Sequence, residues 1–233
     1  MPVGVICNVV CVFVGTIIGA LIENYVPKHL RESLPKVFGI CSVAIGINSI
    51  VGVQTLSMVI LATIVGYVIG ELIQINEKVA NIFRKALNKL HFNIEGDEKE
   101  YMETYLLVVL MFSMSGMGLF GALSEGMSGD SSVLMSKSVL DFFTAILFGT
   151  TLGYAQALIS IPQLVILSLC FFLSKIILPY TNPTMILDFK ACGGLLTMMT
   201  GLSVAKIIHL KAINLIPALV IVMPIIGFYQ FLI

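Results

Sequence analysis

The chain has 233 residues, of which 58% are apolar and 11% charged, and its mean hydropathy is +1.03. A soluble domain carries about a quarter charged residues, and a fold of this size has too small an interior to hide so much apolar surface from water. Disorder, nucleic-acid binding and a water-soluble globule are excluded; the 13 basic residues balance the 13 acidic ones, so net charge names no partner.

Apolar runs bounded by charge, Pro or Gly predict eight membrane spans, near 3–23, 35–52, 54–75, 103–122, 139–158, 160–178, 190–206 and 212–232. A helix crosses the hydrocarbon core in about 20 residues. Lipid offers backbone groups no partner, and the alternating pattern of a barrel is missing, so the spans are helices. The predicted fold class is all-α: a polytopic transmembrane bundle forming a single domain, 1–233.

No Lys or Arg precedes the first apolar run, so the basic start of a signal peptide is missing. It reads as a retained first span. Numbering loops by the spans they join, loops 1–2, 3–4, 5–6 and 7–8 hold ten basic residues and the other side three, Lys137, Lys175 and Lys190. That bias places the odd loops in the cytoplasm and both termini outside. The expected partner is the lipid bilayer.

In the loop after span 3, Val79, Ile82, Phe83, Ala86, Leu87 and Leu90 fall at helical spacing, predicting an amphipathic cytoplasmic helix over 77–91. It lies on the anionic inner leaflet or packs across the inner ends of the spans.

Small residues recur four apart at Gly15/Gly19, Gly66/Gly70 and Gly149/Gly153, the pattern of close helix packing. It also permits a homodimer. Gly15-Thr16-Ile17-Ile18-Gly19 in span 1 parallels Gly149-Thr150-Thr151-Leu152-Gly153 in span 5, each preceded two turns outward by a polar residue, Asn8 or Asp141. This hints at a parallel repeat of halves 1–100 and 101–233. A rival match, Gly39 and Gly46 with Gly194 and Gly201, is antiparallel. Transporters are often built from repeats around broken helices; Pro217 and Pro224 make span 8 the candidate for a break.

An ionisable group inside a span is a functional hypothesis by default. Asp141 stands near the outer end of span 5 with Lys137 one turn before it, and Glu71 near the inner end of span 3. Asn8 lies on the outer side, Asn214 on the inner side, and Thr16 and Thr150 between them. With Asp130 from the external Ser124–Ser132 segment, a Gly/Ser-rich loop or re-entrant turn, these residues sketch an ion or solute pathway. The five cysteines and the Met111/Met114/Met117 stripe read as packing. No HExxH, GxSxG or P-loop occurs. No metal, cofactor or enzymatic activity is expected.

The runs Leu123–Asp130, Lys137-Ser138-Val139-Leu140-Asp141 and Gly149–Gly153 resemble a prokaryotic membrane family, domain of unknown function 554 (DUF554). So do Asn8 with its GTxxG, Gly66–Glu71, and Gly193-Gly194 through Pro217. Departures are Glu125, where the family tends to have Asp, and Ser203, where it tends to have Asn. The resemblance implies a multi-pass bacterial membrane protein, often suspected of transport, without an established substrate. The expected function is a small secondary transporter or ion-permeating protein with a cavity lined by spans 1 and 5. The alternative is a non-transporting scaffold or sensor acting through the 77–91 helix.

Overall fold

The computed structural model describes residues 1–90 and 97–232, so His91, at the end of the expected cytoplasmic helix, lies outside the described residues. The described residues form helices and no strand: α1 (Val3–Ile22), α2 (Lys28–Ile50), α3 (Leu56–Leu72), α4 (Ile75–Lys89), α5 (Glu98–Ser113), α6 (Gly116–Ser128), α7 (Ser132–Leu152), α8 (Ser160–Ile177), α9 (Pro183–Val204) and α10 (Ile216–Leu232). The molecule is an all-α bundle. Side chains such as Val10 and Phe13 of α1, Val139 and Phe143 of α7 and Val165 and Phe172 of α8 are exposed. An apolar outer surface on a bundle with polar groups inside suits lipid, where backbone groups are satisfied within each helix.

Six helical stretches are long and apolar enough to cross a membrane, and α3 with α4, bent by 57° at their junction, makes a seventh. One of the six is the 46-residue stretch Ser132–Ile177, which doubles back. Gly121 of α6 packs against Leu134 at its start, and Gly126 of the same helix against Phe171 and Ser174 near its end. The reversal falls at Gly153, whose φ of 62° and ψ of −157° lie in a region essentially reserved for glycine. A 3₁₀ segment, Gly153–Ile159, then leads into α8. Gly153 is thus a turn residue, where its sequence motif suggested a packing face.

The broken helix is also elsewhere than expected. Pro217 occupies the first turn of α10, where a missing N–H leaves nothing unpaired, and α10 continues past Pro224 to Leu232. The break separates α5 from α6 at Met114–Ser115. Ser115 turns extended (φ −66°, ψ 145°), and its hydroxyl accepts from Gly118 N at 3.2 Å, capping α6. Gly116 lies against the backbone of Gly193 and Gly194 in α9. The sequence Ser113-Met114-Ser115-Gly116 therefore stops one helix and starts another without a proline. The Ser124–Ser132 segment, read as a loop, is helical through Ser128.

Each of the first three helices takes its main partner from the second half of the chain: α1 with α7, α2 with α9, α3 with α10. α1 and α7 run parallel, Gly15 lying beside Ala145 and Gly19 beside Gly149. α2 and α9 run antiparallel, Gly39 against Gly201 and Gly46 against Gly194; α3 and α10 do the same, Gly66 against Ala218 and Gly70 against Asn214. The glycine matches are therefore the two sides of the same crossings, because both backbones need small residues where they touch.

Candidate functional site

The site builds outward from the α1/α7 crossing. Close contact at Gly15, Gly19 and Gly149 brings Asn8, two turns earlier on α1, against Asp141 on α7. Asn8 Nδ2 donates to Asp141 Oδ2 at 2.8 Å, and Lys137, one turn before Asp141, forms an ion pair with the same oxygen. All three side chains are buried. The returning α8 supplies the third wall: Gln163 Nε2 donates to Asn8 Oδ1 at 2.7 Å. One stretch further in, Gln156 Nε2 donates to Thr16 Oγ1 at 2.8 Å and to the Ala145 carbonyl at 3.1 Å.

α1 and α7 touch directly, so they enclose no cavity between them, contrary to expectation. The polar residues form instead a seam of two hydrogen-bonded groups, one around Asn8 and one around Thr16, at the α1–α7–α8 junction. Two cavities, of about 240 and 450 Å³, have mainly apolar linings; one lies where α6, α8, α9 and α10 meet, the other beside α3 and α10. Neither includes a seam residue.

The remaining predicted pathway residues divide. Thr150 donates to its own helix at Leu147 O (2.7 Å) and takes no part in the seam. Glu71 and Asn214 pair with each other at 2.5 Å at the C-terminal end of α3, and Asn214 Oδ1 accepts from Asn76 N at 2.8 Å, holding the bent start of α4. Asp130 is exposed and accepts from Ser132 N at 2.9 Å at the start of α7. That bond holds its carboxyl below the usual aspartate range. Only Asn8, Thr16, Lys137 and Asp141 of the predicted set lie in the seam.

Four polar residues were missed. Gln156 and Gln163 belonged to the tight junction and entry of span 6, where the sequence did not show which way they face. Glu125 is buried and accepts from Gly4 N (2.8 Å) and Val5 N (3.3 Å), satisfying the free amides at the start of α1. Asp188, also buried, accepts from Gln54 N (2.6 Å), Thr55 N (3.1 Å) and the Thr55 hydroxyl at the start of α3. A carboxylate at a helix N-terminus is favoured by the dipole; Glu125 lies 121 residues from Gly4 and Asp188 134 from Gln54, so no local capping motif exposed them.

The amphipathic helix lies across the end of the bundle where α3 finishes and α5 begins. Leu87 and Ala80 of α4 are buried, and Phe83 packs on Tyr105 of α5 with ring centroids 5.3 Å apart. Arg84 pairs with Glu98 at 2.9 Å and Glu77 with Lys211 at 3.1 Å. Its apolar stripe is mostly used in packing.

The model of the family described as a protein of unknown function (DUF554) matches residues 3–227. The chain belongs to the DUF554 family. Among its relatives, the uncharacterized protein YqgA of Escherichia coli (strain K12) is 39% identical over 225 residues, covering 96% of each chain. The uncharacterized membrane protein YdfK of Bacillus subtilis (strain 168) is 25% identical over 222 residues, covering 94% of this chain and 93% of its own. No solved structure matches.

Proposed function

We propose that this DUF554 protein is a small secondary transporter or ion-permeating protein of the bacterial cytoplasmic membrane, with both termini outside. The observation that carries the reading is the Asn8–Asp141–Lys137 cluster, buried where α1, α7 and α8 meet. Ionisable groups inside a membrane bundle mark ion or substrate pathways far more often than they stabilise it, and well-packed apolar residues would hold the same crossing at least as firmly. Support comes from the α5/α6 break beside the seam, since discontinuous helices at mid-bundle are the usual frame of a transport site.

The test is flux in proteoliposomes, screened across alkali cations, protons, anions and small metabolites, for the wild type and for Asp141→Asn and Asn8→Ala. Both variants are expected to lose transport per reconstituted molecule, Asp141→Asn also with reduced stability because it leaves Lys137 buried and unpaired. Flux unchanged by Asp141→Asn removes that carboxylate from the mechanism, and no flux for any solute overturns the reading. Orientation is checked by labelling single cysteines at Asp130 and Lys85 from either side of intact cells.

A further inference from the structure

α6 and α9 touch at one end and hold a cavity between them at the other. Gly116, at the start of α6, lies against the backbone of Gly193 and Gly194, and its N–H donates to Thr197 Oγ1 at 3.2 Å. One turn further along α6, the Lys190 ammonium of α9 stands 5.0 Å from the centre of the Phe120 ring. Beyond it opens the cavity of about 240 Å³, walled by Phe120, Met127 and Ser128 of α6, Ile177 of α8, Ile186 of α9 and Met223 of α10. Positions 186, 190 and 193 fall on one face of α9, so Lys190 separates the glycine crossing from the cavity. Side chains on a helix lean towards its N-terminus, which for Lys190 is the direction of Ile186 and the cavity.

A lysine within a span ordinarily snorkels to the interface or pairs with a carboxylate. Lys190 does neither. Its ammonium lies level with Phe120, eight residues and about 12 Å along α6 from the exposed Ser128. Among the described residues no carboxylate pairs with it; the ion pairs there belong to other bases. Asp188, two positions away, is committed to the amides at the start of α3, and Glu125 to those at the start of α1. The ring of Phe120 offsets part of the charge, but a half-buried ammonium beside an apolar cavity still lacks a counter-ion of its own.

We propose that the α6/α9 cavity binds a small organic monoanion, an apolar body carrying one carboxylate, with Lys190 as the counter-charge. The walls set the body: they are mainly apolar, so an inorganic anion would gain nothing from them. The volume sets the size. An apolar cavity of about 150 Å³ accepts a benzene ring, and about 240 Å³ leaves room for a ring with its acid group. The lysine sets the charge, since one ammonium balances one carboxylate and a second would be buried unpaired. As a transported solute this anion names a substrate class for the transport reading above and rests on it; as a bound ligand it does not.

The test is equilibrium binding of radiolabelled benzoate to the full-length protein in phosphatidylcholine nanodiscs, with protein-free nanodiscs as the blank. Benzamide and benzylammonium, of the same shape but neutral and cationic, are the competitors. Saturable binding of benzoate that neither competitor displaces is expected. In Lys190→Gln, binding weakens on the order of tenfold, while the melting temperature stays the same or rises because an unpaired charge has left the bundle. Lys190→Arg keeps the charge and the binding. Absence of saturable benzoate binding, or undiminished binding in Lys190→Gln, overturns the proposal. So does displacement by benzamide as effective as by benzoate itself, the mark of a pocket for any apolar group, a lipid chain included. Should Lys190→Gln fail to fold, Met127→Trp, which fills the cavity and leaves Lys190 in place, is read instead: binding retained there overturns the proposal. Benzoate binding without flux of any solute would leave the site standing and remove the transport reading; flux of another solute without benzoate binding would do the reverse.

Discussion

Asn8 and Asp141 are 133 residues apart in the chain and hydrogen-bonded at 2.8 Å, with Lys137 closing on the same carboxylate oxygen. Removing one charge leaves the other buried and unpaired, a loss of about 3–5 kcal/mol. Lys137→Met is therefore expected to destabilise by about that much, and Lys137→Met/Asp141→Leu to recover most of it. Denaturant unfolding in micelles completes the double-mutant cycle; strictly additive losses would show that the two charges do not act as a pair.

Gly153 reverses the chain with a backbone that a Cβ resists. Gly153→Ala is expected to lose about 1–3 kcal/mol and to loosen the α7–α8 hairpin. Hydrogen exchange over 153–163 should rise in that variant; unchanged protection contradicts the turn's role.

A Cβ on Gly149 would stand 2.8 Å from Thr16 O, and one on Gly19 would meet the Ile146 carbonyl. Both neighbours are backbone, so α1 and α7 must separate. Gly19→Ala and Gly149→Ala are expected to lower thermal stability and to weaken the Asn8–Asp141 contact. Gly227→Ala is the control: its nearest neighbour is the flexible end of Met185, 3.5 Å away. Equal melting temperatures for all three would refute the crossing's dependence on glycine.

Asp188 caps α3 from α9. Asp188→Ala leaves the Gln54 and Thr55 amides and the Thr55 hydroxyl without their acceptor, a loss of about 2 kcal/mol. Asp188→Asn keeps an acceptor oxygen and should lose less. The order of the two midpoints in denaturant unfolding checks this.

Lys211 lies outside the membrane-spanning helices, and its hydrogen bond with Glu77, reinforced by that carboxylate's charge, raises its pKa above the ordinary lysine value. A raised folded-state value means the contribution is fully present below the ordinary lysine pKa and is lost as pH climbs through the raised one. The pair is exposed, so neutral-pH stability should barely respond to Glu77→Gln. The Lys211 titration itself, followed by NMR of labelled lysines, should move down in that variant; an unmoved titration would discount the contact.

Hydropathy alone was enough to establish a helical membrane protein, because the cost of unpaired backbone in lipid leaves a long apolar run one option. The i,i+4 pairing of Lys137 with Asp141 was equally legible, being a property of a single helix. The matched glycine motifs of α1 and α7 were visible too, but not their meaning, since a crossing and a repeat leave the same small residues behind. Proline, the sequence's best sign of a broken helix, pointed to α10, whereas the break at Met114–Ser115 depends on the close approach of Gly116 to Gly193. The roles of Glu125, Asp188, Gln156 and Gln163 were decided only by tertiary structure: each side chain answers to helix ends or amides far off in sequence, and buried polar groups acquire their partners only when the helices assemble.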